Sequence, residues 1–312
     1  MNKFLLSLAL MLLSHFTWAQ VNVAITIDDV PSTKKFQRNH FQPKFLNQLD
    51  SLNIPVAIFI NERNIYSTDS VTRNFDLLNQ WISKSYTTLG NHTFSHARYS
   101  ASELEDFTAD ITKGESITRE LAKKYKKALK YFRFPYNDLG KDSLQQHQIT
   151  TILKQKNYIS TPFTIESSDW VFNYLYEYYI GQNNIIEAQR IGQAYVNTTL
   201  AYFKYFSQLA EKQYGRSIDQ IYLCHDNSIN ADYLSIIVQK LKEKNYSFVS
   251  LDKAMQDKVY QQKNNFYKKW GISWFYRWMT DNGEIKRCMN NEPDIMPIYK
   301  EYQQVQNKKQ KK

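Results

Sequence analysis

Two aspartates, Asp28 and Asp29, stand side by side directly after the apolar, β-branched run Val23-Ala24-Ile25-Thr26-Ile27. Adjacent carboxylates repel, and packing gives no reason to end a core strand on two of them. A cation removes the repulsion, with one acid holding the metal and the other acting as a base beside it. Taken alone, the pair is better read as a solvated strand-to-loop turn, because Asp and the following Pro31 are common turn residues. The segment Gly90-Asn91-His92-Thr93-Phe94-Ser95-His96 adds two imidazoles four residues apart. On a helical turn that spacing puts both on one face, within reach of one ion. Two His and one Asp leave positions open for a water and a substrate oxygen, as a catalytic site requires. The mixed N/O set suits Zn²⁺, and also Co²⁺, Ni²⁺ or Mn²⁺.

The elements that must position these groups read as alternating strands and helices. Residues 23–27 and 56–60 are short buried strands, 87–89 a third, 131–134 a fourth stopped by Pro135, and 158–165 a fifth. Residues 221–224 and 248–251 complete the set. Helical spacing marks 43–52, 72–83 (apolar at Phe75, Leu78, Trp81 and Ile82), 143–156 and 231–244. Residues 102–127 read as one long helix, with Ser102 and Glu105 resembling a capping box. The Tyr-rich stretch 171–216 reads as mostly helical, over 185–194 and 198–214. This alternation predicts a parallel α/β architecture with its chemistry at strand C-terminal ends. From about residue 259 the pattern changes to a C-terminal extension, with Trp270, Trp274 and Trp278 expected to pack on the catalytic domain of residues 20–258.

Residues 1–19 carry Lys3, an apolar stretch from Phe4 to Leu13 and small residues before Gln20, the pattern of a signal peptide cleaved after Ala19. Export to the periplasm or cell exterior is therefore expected. No later segment has the roughly 20 apolar residues of a membrane span. The 312 residues carry a formal net charge of +10, much of it Lys at the tail. Scattered or terminal Lys without a basic, aromatic-interleaved stripe argues against nucleic acid as partner. Cys224 and Cys288 permit one disulfide but no disulfide scaffold. Cys224 reads as a small buried apolar residue, and His40, His147 and an exposed Asp138 as structural.

These residues resemble, in five ordered motifs over roughly residues 22–255, the polysaccharide deacetylases, the NodB-like group also called carbohydrate esterase family four. Thr26-Ile27-Asp28-Asp29 is similar to the first motif, with Ile where Phe is commoner, and His92-Thr93-Phe94-Ser95-His96 to the second. Arg133-Phe134-Pro135-Tyr136 is similar to the third, Glu166-Ser167-Ser168-Asp169-Trp170 to the fourth and Leu223-Cys224-His225 to the fifth. The resemblance implies Asp28 as general base and Asp29, His92 and His96 as metal ligands. It implies that Arg133 orients the base, that the Tyr136 N–H holds the oxyanion and that Asp169 tunes His225. His225 would be the general acid, Trp170 would line the groove and Leu223 the acetyl-methyl pocket. The implied fold is a distorted, incomplete (β/α) barrel. The implied activity is removal of N-acetyl groups from a peptidoglycan- or chitin-type amino-sugar polymer. Glu166 where Asp is usual, Val30 and Asn137 where Gly is common, and a long Tyr-rich connection depart from the pattern. An O-acetyl esterase on a polymer such as xylan, and a non-catalytic carbohydrate-binding protein, are the alternatives. The second expects loss of a ligand or base, yet Asp28, Asp29, His92, His96 and His225 are all present.

Overall fold

The computed structural model describes residues 20–310, so the expected signal segment lies outside the described residues. Eight strands form one sheet: β1 (Val21–Val30), β2 (Val56–Ile60), β3 (Thr87–Asn91), β4 (Leu129–Phe132), β5 (Ile159–Ser160), β6 (Ile165–Glu166), β7 (Gln220–His225) and β8 (Tyr246–Phe248). Every pairing is parallel, in the order β5-β4-β3-β2-β1-β7-β6, with β8 beside the start of β1. The central strand β1 is buried without a break from Val23 to Asp28. Strands covered on both faces need such continuous apolar runs, and β2 is likewise buried throughout.

Residues 158–165, expected as one strand, are two. β5 pairs with β4 and β6 with β7, at opposite ends of the strand order. Only residues 161–164 join them, and five residue steps reach at most roughly 17 Å. The sheet must therefore curl until its ends nearly meet. The link is tied to both: the Thr161 N–H donates to the Phe132 carbonyl (2.7 Å) and the Thr164 N–H to that of Ile221 (2.9 Å). The result is the incomplete (β/α) barrel.

The expected helix over 102–127 is also two, Leu104–Lys113 and Ser116–Lys124. They part at Gly114, where a Cβ would lie 2.4 Å from the Phe94 nitrogen. The capping box does not form, and the Ser102 hydroxyl donates to the Arg98 carbonyl instead. The helix Val71–Ser83 buries Leu77, Leu78, Trp81 and Ile82 but leaves Phe75 38% exposed. The Tyr-rich stretch forms Asp169–Gly181 and one unbroken 30-residue helix, Ile185–Tyr214. The last strand lies earlier than expected, at Tyr246–Phe248, and Leu251 already begins a short helix. Cys224 and Cys288 are both buried and free. Among the described residues, no helix is long and apolar enough to cross a membrane.

Candidate active site

The C-terminal ends of β1, β3 and β7 open into one cavity of about 880 Å³. Asp28 sits at the end of β1 beside His225 of β7, in register with it. The two histidines are not on a helical turn. His92 follows β3 directly, and Thr93 and His96 take φ of 63° and 61° in an irregular loop. That loop is fixed from outside. Phe94 N–H donates to the Asp110 carbonyl (3.1 Å), and Ser95 donates through its N–H and its hydroxyl to the Asp110 carboxylate. The missing Cβ of Gly114 lets it lie against the helix break.

Asp29, His92 and His96 bring one ligand atom each to within 4.8 Å of one another, the one such group among the described residues. His92 Nδ1 meets the Arg133 carbonyl at 2.7 Å. The carbonyl only accepts, so Nδ1 carries the proton and the Nε2 lone pair faces the site. Burial pushes His92 down to about 3, so the ring is neutral. Its Nε2 lies 3.8 Å from Asp29 Oδ1 and 3.7 Å from Asp28 Oδ2, and His96 Nε2 lies 3.3 Å from Asp29 Oδ1. A neutral imidazole lone pair aimed at carboxylates is repulsive without a cation between them, so these residues fit a divalent ion.

Asp28 is 2% exposed, and its Oδ1 has no hydrogen-bond partner among the described residues. Burial raises its pKa, and the charges of Arg133, His225 and His96 oppose this only in part. Arg133, fully buried, points Nη1 at Asp28 Oδ2 from 3.7 Å. Its Nη2 is held by the Thr26 hydroxyl (3.0 Å) and the Pro162 carbonyl (3.2 Å). The barrel's closing link thus fixes the arginine beside Asp28.

On the opposite wall, burial depresses His225, but the Asp169 charge and hydrogen bond outweigh it and push the imidazole up to about 10. Burial likewise raises Asp169, and the His225 charge with several hydrogen bonds turns the net shift downward. Asn227 and Asn230 also donate to Asp169, at 3.0 and 2.5 Å, a support that the sequence did not reveal. Leu223 is buried and lines the cavity, while Trp170 is 46% exposed there, its ring 5.6 Å from Tyr302. Glu166 lines it too, and burial lifts its carboxyl to about 7.

Tyr136 has φ 59° and a half-exposed ring, edge-on to His96 at 4.6 Å and beneath the Arg98 guanidinium at 4.0 Å. Asp138, expected to be exposed, is fully buried and accepts from Arg98 (3.1 Å) and Ser100 (2.5 Å). It thereby holds the guanidinium over Tyr136. Of the extension's tryptophans, Trp274 and Trp278 are buried as expected. Trp270 is not packed away: it is 62% exposed and lines the cavity. No periodicity marks it, because it enters from a segment more than a hundred residues beyond the Tyr136 turn.

The fold and the cavity define an α/β barrel whose ionisable groups gather at the strands' C-terminal ends. Residues 19–158 match the polysaccharide deacetylase family model, and the chain carries a polysaccharide deacetylase domain. The peptidoglycan-N-acetylglucosamine deacetylase of Bacillus cereus is 24% identical over 151 residues, 48% of this chain and 47% of that protein. The chain thus spans about half the length of this curated relative. Among solved structures, a peptidoglycan N-acetylglucosamine deacetylase superposes with a TM-score of 0.53 at 18% identity, over 76% of this chain and 89% of that one. A CE4 family pseudoenzyme from Bacillus anthracis superposes with a TM-score of 0.50 at 14% identity, over 76% and 66%. At these identities the superpositions bear on the fold. The family match includes Asp28, Asp29, His92, His96, Arg133 and Tyr136. Trp170, Leu223 and His225 lie beyond it and stand on their position in the cavity, and Asp169, also beyond it, stands on its hydrogen bonds to His225.

Proposed function

We propose that this protein is an exported hydrolase that removes N-acetyl groups from an amino-sugar polymer of peptidoglycan or chitin type. Export rests on the composition of residues 1–19. The catalytic reading rests on one observation above all. A buried carboxylate with a free oxygen, a three-residue cation site and a carboxylate-held imidazole face one cavity.

Asp29, His92 and His96 would hold a divalent cation, zinc by the donor set, with Co²⁺, Ni²⁺ or Mn²⁺ as alternatives. When bound, it supplies Lewis acidity toward the amide carbonyl. Asp28 accepts the proton of the attacking water as the oxygen–carbon bond forms, and Arg133 keeps that carboxylate oriented. The Tyr136 N–H is assigned to the oxyanion. The imidazolium of His225 gives its Nε2 proton to the sugar nitrogen as the carbon–nitrogen bond breaks. Leu223 takes the acetyl methyl, and Trp170 forms a wall of the groove.

The test is acetate release from a panel of acetylated glycans by the metal-loaded protein. Release from N-acetylated chito-oligosaccharide or peptidoglycan is the expected result. Release from acetylated xylan alone would make the protein an O-acetyl esterase. Binding to glycans with no acetate released from any would make it a carbohydrate-binding protein.

A further inference from the structure

The extension reaches the catalytic cavity through Lys269, Trp270 and Gly271. Trp270 is 62% exposed although Trp274 and Trp278, a few residues on, are buried. Its backbone is held rigidly. Fully buried Arg277 donates from Nη2 to the Trp270 carbonyl (2.8 Å) and the Asn137 carbonyl (3.3 Å), and from Nη1 to that of Phe266 (3.2 Å). At Gly271 a Cβ would lie 2.2 Å from the Tyr136 oxygen, so the segment touches the Tyr136 turn as only glycine permits. Ser273 donates its hydroxyl proton to the Thr164 carbonyl (2.7 Å), and the Trp274 N–H donates to that of Phe163 (3.0 Å). None of these bonds uses the indole. A large apolar face is thus kept in water on a fixed base, the build of a binding platform. The half-exposed rings of Trp170 and Tyr136 line the same cavity. A second cavity of about 580 Å³ shares Phe163, Glu166 and Gly271 with the first, so the space continues past the catalytic groups.

We propose that Trp270 is a sugar-binding platform contributed by the C-terminal extension, taking the pyranose ring that adjoins the unit being deacetylated. The proposal deepens the deacetylase reading and rests on it for the nature of the ligand. A pyranose presents an apolar C–H face, which suits a fixed indole, and hydroxyls at its rim, which suit polar neighbours. Asn137, Glu166 and Lys269 supply such groups in this cavity. The platform makes the enzyme prefer oligomers to single sugars.

The experiment compares wild type, Trp270→Ala and Trp270→Phe. Calorimetry gives the Kd for the N-acetylglucosamine tetramer, and acetate release gives KM and kcat for tetramer and monomer. Because the indole carries none of the framework bonds, the variants should fold, which circular dichroism checks. Trp270→Ala should raise Kd and KM for the tetramer about tenfold, roughly the effect of returning ~60 Å² of apolar contact to water. The rise for the monomer should be much smaller, and Trp270→Phe should recover part of the loss. An unchanged tetramer Kd in Trp270→Ala overturns the proposal, as does a wild type that does not bind the tetramer. A self-association of wild type lost in Trp270→Ala, with Kd unchanged, would overturn it in favour of a second copy of the chain. If wild type binds the tetramer but releases no acetate, the deacetylase reading fails while the Kd comparison still decides the role of Trp270.

Discussion

Asp169 accepts two hydrogen bonds from His225, one from its backbone N–H at 2.8 Å and one from ring Nδ1 at 2.7 Å. The first fixes where the residue sits and the second fixes which ring nitrogen remains for the substrate. The Asp169 charge also holds the ring protonated, up to about 10. A general acid works only while protonated, so its rate falls as pH rises through its pKa. In Asp169→Asn the depressing effect of burial loses its main opponent. The alkaline limb of kcat/KM should then move down by roughly 1–3 pH units. Rates between pH 6 and 11, with an NMR titration of the imidazole, measure this. A limb that stays in place would mean that another group sets it.

The division of labour proposed for Asp28 and Asp29 rests on their different surroundings. Asp29 is 40% exposed at its side chain and meets His96, whereas Asp28 is buried against Arg133. His96→Ala should lose stoichiometric metal and nearly all activity. Asp28→Asn should keep the metal and lose turnover. Metal content by mass spectrometry, alongside acetate release, decides this. An empty site in Asp28→Asn with a full one in Asp29→Asn would reverse the two roles.

Arg277 ties the extension to the barrel, bridging carbonyls of Phe266, Trp270 and Asn137 while wholly buried. Burial pushes its pKa down to about 10, so it stays charged near neutrality. Arg277→Met removes these charge-assisted bonds and should destabilise the fold by roughly 2–4 kcal/mol. Because the same bonds hold the backbone of Trp270 and of Asn137, next to Tyr136, activity per folded molecule should fall as well. Urea melts and kinetics on the folded fraction separate the two effects. Stability lost without activity would confine Arg277 to packing.

The motif residues were legible because each lies at or just beyond a strand end, where an abrupt change from apolar to ionisable residues shows in the sequence. Leu223 and His225 could be placed on one side of β7 from strand alternation alone. The spacing of His92 and His96 pointed to two imidazoles close together, and they are close, but not through the expected geometry. An irregular loop braced by Asp110, not a helical turn, brings the two rings together. The split of residues 158–165 was not legible, because a run that changes partners keeps the composition of a single strand. Nor was the exposed position of Trp270 at the cavity. An aromatic residue in an irregular segment looks the same whether it faces core or cavity, and the contact at Gly271 that decides it involves a turn far away in the chain.

The last prediction concerns His225 as acid. An amide nitrogen leaves poorly unless protonated as its bond breaks, whereas the oxygen of an aryl acetate departs without help. In the structure the Nδ1 of His225 is committed to Asp169, so the proton available for donation is on Nε2. The residue is not part of the Asp29, His92 and His96 group. General acid catalysis is worth roughly 10²–10⁴-fold. His225→Ala should lose about that factor on an N-acetylated oligosaccharide, far less on an aryl acetate, and no metal. Kinetics on both substrates with metal analysis of the same preparation provide the check. Equal losses on the two substrates with metal retained would make His225 a stabiliser of the oxyanion. Loss of metal would make it a ligand, and the proton for the departing nitrogen would have to come from elsewhere in the cavity, with Glu166, raised by burial to about 7, the next carboxyl to test.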